Sequence, residues 1–116
     1  MKDKRFIKRA EYPGGSKALK SFIHNNLRYP KSALENNIEG RVHLKYEVNE
    51  RSKVHSIIIV KKLGYGCDEE AIRLVSLLDY SEVKNRGIKV NTKFKITINF
   101  ILPKTPSLKI NYILKE

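Results

Sequence analysis

The 116-residue chain has one cysteine, no tryptophan, no long apolar run and half as many acidic as basic side chains. A lone cysteine, Cys67, rules out an internal disulfide framework. No stretch approaches the ~18 apolar residues of a membrane span. The longest apolar run is Ile57 to Val60. The basic start, MKDKRFIKRA, is not followed by the apolar segment of a signal peptide. The expectation is a chain that neither crosses a membrane nor directs its own export. A formal net charge of +12 excludes an acidic disordered class. A hydrophobic content of 41%, with 6 Tyr and 4 Phe, argues for a folded core, and the length allows one domain. Internal repeats and low-complexity segments are absent from the sequence.

Residues 1–11 read as a mobile basic lead-in, carrying Lys2, Lys4, Arg5, Lys8 and Arg9. Pro13-Gly14-Gly15 ends it, and Ser16 is a suitable helix N-cap. Ala18, Leu19, Phe22, Ile23 and Leu27 recur at spacings of three and four, which predicts a helix. Pro30 stops that helix and opens a short second one with Ala33, Leu34 and Ile38, which Gly40 is expected to close. The period then changes to two. Val42, Leu44, Tyr46 and Val48 alternate with Arg41, His43, Lys45 and Glu47, which predicts a half-buried strand. Lys53 to Leu63 reads as a second strand, with Ile57 and Ile59 inward. After Gly64-Tyr65-Gly66, Asp68 reads as the N-cap of a helix running to about Asp79, with Cys67 and Ile72 forming a hydrophobic staple. Tyr80 to Gly87 reads as a polar connector, and Val90 to Leu102 as a long strand with its even-numbered residues inward. This order predicts an α+β fold: a three- to four-stranded antiparallel sheet, first strand central, helices packed on one face.

Catalytic chemistry does not assemble. His24, His43 and His55 fall at no metal-ligand spacing, and Cys67 adds no second soft ligand, so neither metal nor cofactor is expected. Gly64-Tyr65-Gly66 lacks the third glycine and the Lys-Ser/Thr pair of a phosphate loop, and Asp68, Glu69 and Glu70 would repel phosphate. Gly-x-Ser-x-Gly is absent. The basic excess attracts polyanions, yet an RNA-binding sheet needs aromatics on its open face. Here Tyr46, Phe94 and Phe100 share the phase of the core, and the open face carries Arg41, His43, Lys45, Lys93 and Lys95. Specific nucleic-acid binding is therefore not expected.

Tyr12-Pro13-Gly14-Gly15, then RYPKSALENNIEGRV over 28–42, the strand pair, and GCDEEAIRLV over 66–75 together resemble the C-terminal domain of TonB energy transducers. The resemblance covers about residues 11–102, the domain being set at 12–102. Its most specific part is Tyr29, Pro30, Ala33, Gly40 and Val42, each with a structural rather than ligand-binding reading. It implies a non-enzymatic periplasmic domain that captures the TonB box, a short extended segment of outer-membrane receptors, by strand addition. The edge for that addition matches Lys93, Phe94, Lys95, Ile96, Thr97, Ile98 and Asn99. Force from an inner-membrane proton-driven motor would reach the receptor through those main-chain bonds. Motor proteins would be engaged only through an N-terminal anchor and spacer, which are not expected within these 116 residues. The family's Trp-x-Pro is Tyr80-Ser81-Glu82 here, and Cys67 stands where leucine is common.

Two other readings remain at this stage: a TonB-like interaction module of another envelope protein, such as a sensor or peptidase, and a basic nucleic-acid-binding domain. The tail, 103–116, alternates at Leu108, Ile110, Tyr112 and Leu114 after the Pro103–Pro106 bend. It is expected to form a fourth strand over the receptor-binding edge, or to be donated to a neighbour as a homodimer. The short loop favours the first.

Overall fold

Period-two patterning produces the sheet. Gly40–Val48 is the strand β1, with Val42, Leu44, Tyr46 and Val48 buried and Arg41 and Lys45 exposed. It is flanked by Val54–Lys61 (β2) and Thr92–Phe100 (β3), both antiparallel, so the first strand is central as predicted. The structure, a computed structural model, describes residues 9–82 and 89–103. The expected tail strand, Lys2 to Lys8 of the lead-in and most of the 80–87 connector lie outside them. The helices α1 (Gly15–Asn26), α2 (Lys31–Glu35) and α3 (Cys67–Ser76) join the sheet's buried face in one core. Tyr29, Leu34, Leu44, Leu74, Ile98 and Phe100 are nearly sealed from water. Each such burial contributes about 1.5–3 kcal/mol relative to exposure.

Several boundaries differ from the sequence reading, each for a local reason. Helix α1 is capped by Gly14, not Ser16, because the turn closed by Gly15 N–H on the Tyr12 carbonyl (2.8 Å) needs a left-handed residue. Gly14 sits at φ +89°, and a Cβ there would come within 2.7 Å of the Ala18 Cβ. Helix α2 ends before Gly40. Asn37 takes the left-handed position (φ +54°), and Ile38 N–H reaches the Ala33 carbonyl at 2.8 Å in a Schellman closure. Gly40 instead begins β1 at φ +155°, where a Cβ would meet Leu63 Cδ1 at 2.7 Å. Its motif role is close approach.

Helix α3 is capped by Gly66, and Asp68 lies within its first turn. The Asp68 carboxylate turns back to accept the Leu63 and Gly64 N–H groups at 2.8 and 3.0 Å, tying the preceding loop to the helix. Cys67 is already helical and fully buried while Ile72 is exposed, so the two form no staple. The helix stops at Ser76, and Leu77 faces water. The third strand is shorter than 90–102, but its inward phase is as predicted. Ile57 and Ile59 are the inward pair of β2, with Ile58 and Val60 each 57% exposed. Ala10, placed in the lead-in, is buried with its N–H on Thr92 Oγ1 (3.2 Å).

Tyr80 is the largest departure. It does not belong to a polar connector: it is buried, with its hydroxyl 2.5 Å from that of Tyr46. Its ring packs on Phe94 (4.9 Å between centroids) and edge-on to Tyr12 (5.5 Å). Burial raises the Tyr46 hydroxyl far above its ordinary range, and those of Tyr12 and Tyr80 less steeply. Burial, aided by the charges of Asp68, Glu69 and Glu70, pushes the Cys67 thiol up to about 11 from 9.0.

These groups hold their protons more tightly folded than unfolded, so their contribution is fully present below the unfolded values and lost as pH rises. Stability to urea should be flat from about pH 7 to 9 and fall between about 9 and 11 as the unfolded-state thiol ionises first. The Cys67→Ala variant should fall less steeply over that window. An equal slope in both proteins would refute the assignment to Cys67.

Candidate functional site

A three-stranded sheet has two edges, and here they are unlike. The β1–β2 register shifts twice, between His43 and Leu44 and between Lys45 and Glu47. Ser56, beside the second shift, sits at φ +54°. These bulges break up the row of backbone groups along the outer side of β2, a common protection against unwanted pairing. The β1–β3 ladder runs without a shift from Gly40↔Phe100 to Val48↔Thr92. The outer side of β3 therefore presents evenly spaced N–H and C=O groups, and among the described residues no strand pairs with it.

Beside this edge runs α1. Its apolar stripe (Ala18, Leu19, Phe22, Ile23) is only half-covered, and no residue of the helix is fully buried. Leu19, Ile23 and Leu27 face Ile96 across a groove of about 610 Å³. Lys20, His24 and Lys95 also line it, and no carboxylate does. The groove thus offers an apolar floor, cationic margins and a strand edge along one side.

The position of α1 depends on α3. Glu70, only 8% exposed, accepts Arg28 N–H on Oε2 at 2.7 Å. Arg73 donates to the same carboxylate through Nε (2.8 Å) and Nη2 (2.7 Å), and Nη2 also reaches the Asn26 carbonyl at 2.7 Å. This charge-assisted fork grips the chain where α1 ends. Hydrogen bonding to Glu70 raises the Arg73 guanidinium above its ordinary value.

The predicted edge residues, Lys93 to Asn99, all lie in β3. Phe94, Ile96 and Ile98 point toward the helices, while Lys93, Lys95, Thr97 and Asn99 are exposed. The motif residues are structural. Tyr29 is buried, donates its hydroxyl to the Ile38 carbonyl and packs edge-on to Phe100 (5.7 Å). Pro30 caps α2, and Ala33 and Val42 are fully buried. The helical wall of the groove and the Glu70–Arg73 fork were not expected from sequence. The i,i+3 spacing of that pair and the stripe of α1 were their available signals. His43 meets Thr97 Oγ1 (2.9 Å) and His55 meets Asn91 Oδ1 (2.7 Å) on the open face. No group of three metal-ligating side chains gathers among the described residues.

The sequence pattern described as "Gram-negative bacterial TonB protein C-terminal" matches residues 25–102. The chain belongs to the TonB C-terminal domain family. The solution NMR structure of the TonB C-terminal domain of Helicobacter pylori is similar to it, at 25% identity and a TM-score of 0.57. That match covers 80% of this chain and 89% of the other. A search of curated proteins finds no match. TonB-family domains are transport-related and interact with outer-membrane receptors in the bacterial envelope. In this TonB-family domain, Tyr80 is buried in the aromatic cluster. No helix among the described residues is long and apolar enough to cross a membrane.

Glu70→Ala should leave Arg28 N–H and the Arg73 guanidinium without their acceptor and cost about 2 kcal/mol in urea unfolding. Glu70→Gln keeps one acceptor oxygen and should cost about half that. In both variants amide exchange should quicken in α1 before β1. Uniform loosening of the whole domain would contradict the role given to the fork.

Proposed function

We propose that this domain binds the TonB box of an outer-membrane receptor by adding it as a strand to the outer edge of β3. It thereby couples inner-membrane proton-motive energy to active transport, as a periplasmic, non-enzymatic protein tethered through segments N-terminal to the domain. The observation that carries this reading is the unshifted nine-residue ladder of β3, open on its outer side among the described residues and walled by α1. Main-chain hydrogen bonds supply affinity with little demand on side-chain identity, so one domain can serve receptors of different sequence. Such bonds also suit the transmission of force, because they act together along the strand. Family membership supports the partner, and the contrast between a bulged β2 and a regular β3 supports the edge.

A TonB-box peptide titrated into isotopically labelled protein should shift the amides of Lys93 to Asn99 and of α1 residues facing the groove. Shifts confined to α3 or β2 would sink the proposal. Ile96 and Thr97 have opposite backbone directions. Of Ile96→Pro and Thr97→Pro, the variant that loses the outward N–H should weaken the peptide at least tenfold while β1 stays protected. Peptide affinity should change little with salt. Any affinity for DNA should collapse between low and physiological salt, because it rests on counterion release.

A further inference from the structure

We propose that the open face of the sheet is a docking surface for an anionic phospholipid bilayer. The domain lies flat on it, with Ile58 and Val60 reaching the acyl chains and the surrounding cations among the headgroup phosphates. This face is distinct from the outer edge of β3, so lipid docking stands apart from strand addition.

Three observations carry it. The first is charge. Arg41 and Lys45 of β1, Lys61 of β2, and Lys93 and Lys95 of β3 are all exposed, and the two ladders set them on the side turned from the helices. Lys45 stands directly opposite Lys95 within the β1–β3 ladder. Like charges so placed weaken a strand pair. The ion pair among the described residues, Arg73 with Glu70, lies on the helical side and leaves them uncompensated. Glu47 is the single carboxylate of the three strands, and it stands opposite Lys93 and accepts the side-chain amide of Asn91. A layer of headgroup phosphates supplies the counter-charge that the strands omit.

The second is the apolar centre of this face. Ile58 and Val60 are each 57% exposed. Ile58 lies opposite Lys45 and lines a hollow of about 300 Å³ with Lys45, Lys93 and Lys95. Val60 lines a second, of about 430 Å³, with His43, Lys45 and Lys95. Both hollows share the lysine pair, so the two aliphatic side chains are ringed by cations. That is the arrangement of an interfacial surface, whose apolar groups enter the acyl boundary while its cations stay with the headgroups.

The third is shape. The central strand of this face is paired on both sides, and its hollows are open, so a peptide finds neither free backbone groups nor an enclosing pocket. Tyr46, Phe94 and Phe100, the aromatics of the three strands, belong to the inward phase, which leaves nothing to stack a base. A bilayer needs only a broad field of cations with aliphatic groups level with it.

The test uses the full chain and vesicles of equal parts phosphatidylglycerol and phosphatidylcholine, at physiological salt, read by co-sedimentation. Two variants lose the same charge from opposite sides: Lys45→Thr/Lys61→Thr from the open face, and Lys17→Gln/Lys31→Gln from α1 and α2. A cation at an anionic bilayer is worth about fivefold in affinity, so the first variant should bind about twentyfold more weakly. The second should lose no more than about threefold, because screening hides charges on the far side. Equal losses would mean attraction by net charge alone and overturn the proposal, as would equal binding to vesicles of phosphatidylcholine alone.

Ile58→Ser/Val60→Ser should lose at least about tenfold on the anionic vesicles and nothing on duplex DNA. Unchanged vesicle binding, or an equal loss on DNA, overturns the lipid assignment. Exchange of β1 amides checks that each variant is folded. Should one not be, the unaltered chain decides: a lipid spin-labelled just below its headgroup should broaden the amides of Ile58 and Val60 before those of α1 and α3. The reverse order overturns the proposal. A TonB-box peptide added without vesicles should bind Lys45→Thr/Lys61→Thr as it binds the unaltered chain, so the failure of either reading is seen apart from the other.

Discussion

The carboxylate of Glu70 sets the geometry on which the rest of the molecule depends. A buried charge is costly unless its oxygens are filled, and here a backbone N–H and a guanidinium fill them. Because the N–H belongs to Arg28 and the guanidinium also holds Asn26, satisfying that charge fixes the path between α1 and α2. The next residues follow from it. Tyr29 enters the core, Pro30 turns the chain into α2, and α1 is left lying beside β3 rather than over the centre of the sheet. A requirement of electrostatics on one helix is thereby met by the placement of another.

Much of this was legible in the sequence, and where it failed the reasons are physical. The strands were read correctly because period two leaves a trace in every residue of 41–48 and 92–100. The central position of the first strand followed from the helical crossover between the second and third. The caps misled because three chemically suitable residues, Ser16, Asp68 and Gly40, stood near three real boundaries. The geometry of each turn chose a neighbour: Gly14, Gly66 and Asn37. Tyr80 looked like part of a polar segment because its neighbours Ser81 and Glu82 are polar, and only the arrival of Tyr46 and Phe94 from distant strands buries it. The edge was named residue by residue from family likeness. Its helical wall was not, since the extent to which an amphipathic stripe is covered is settled by packing alone.

The basic excess finds a quiet explanation in this arrangement. Arg41, Lys45, Lys93 and Lys95 occupy the side of the sheet turned from the core, where ammonium and guanidinium groups stay hydrated at little cost. Like charge there opposes edge-to-edge pairing, because neighbouring molecules repel before their strands can align.

The bulges of β2 carry a consequence for valency. A sheet with two regular edges is a link: each copy accepts one neighbour and offers itself to the next, and growth has no end. With Ser56 turned out of the ladder and β2 out of step with β1, the sheet has, among the described residues, one side on which a strand can settle in register. Every molecule is then a terminus. Addition of one strand to that edge leaves, among the described residues, no second regular edge from which growth could continue.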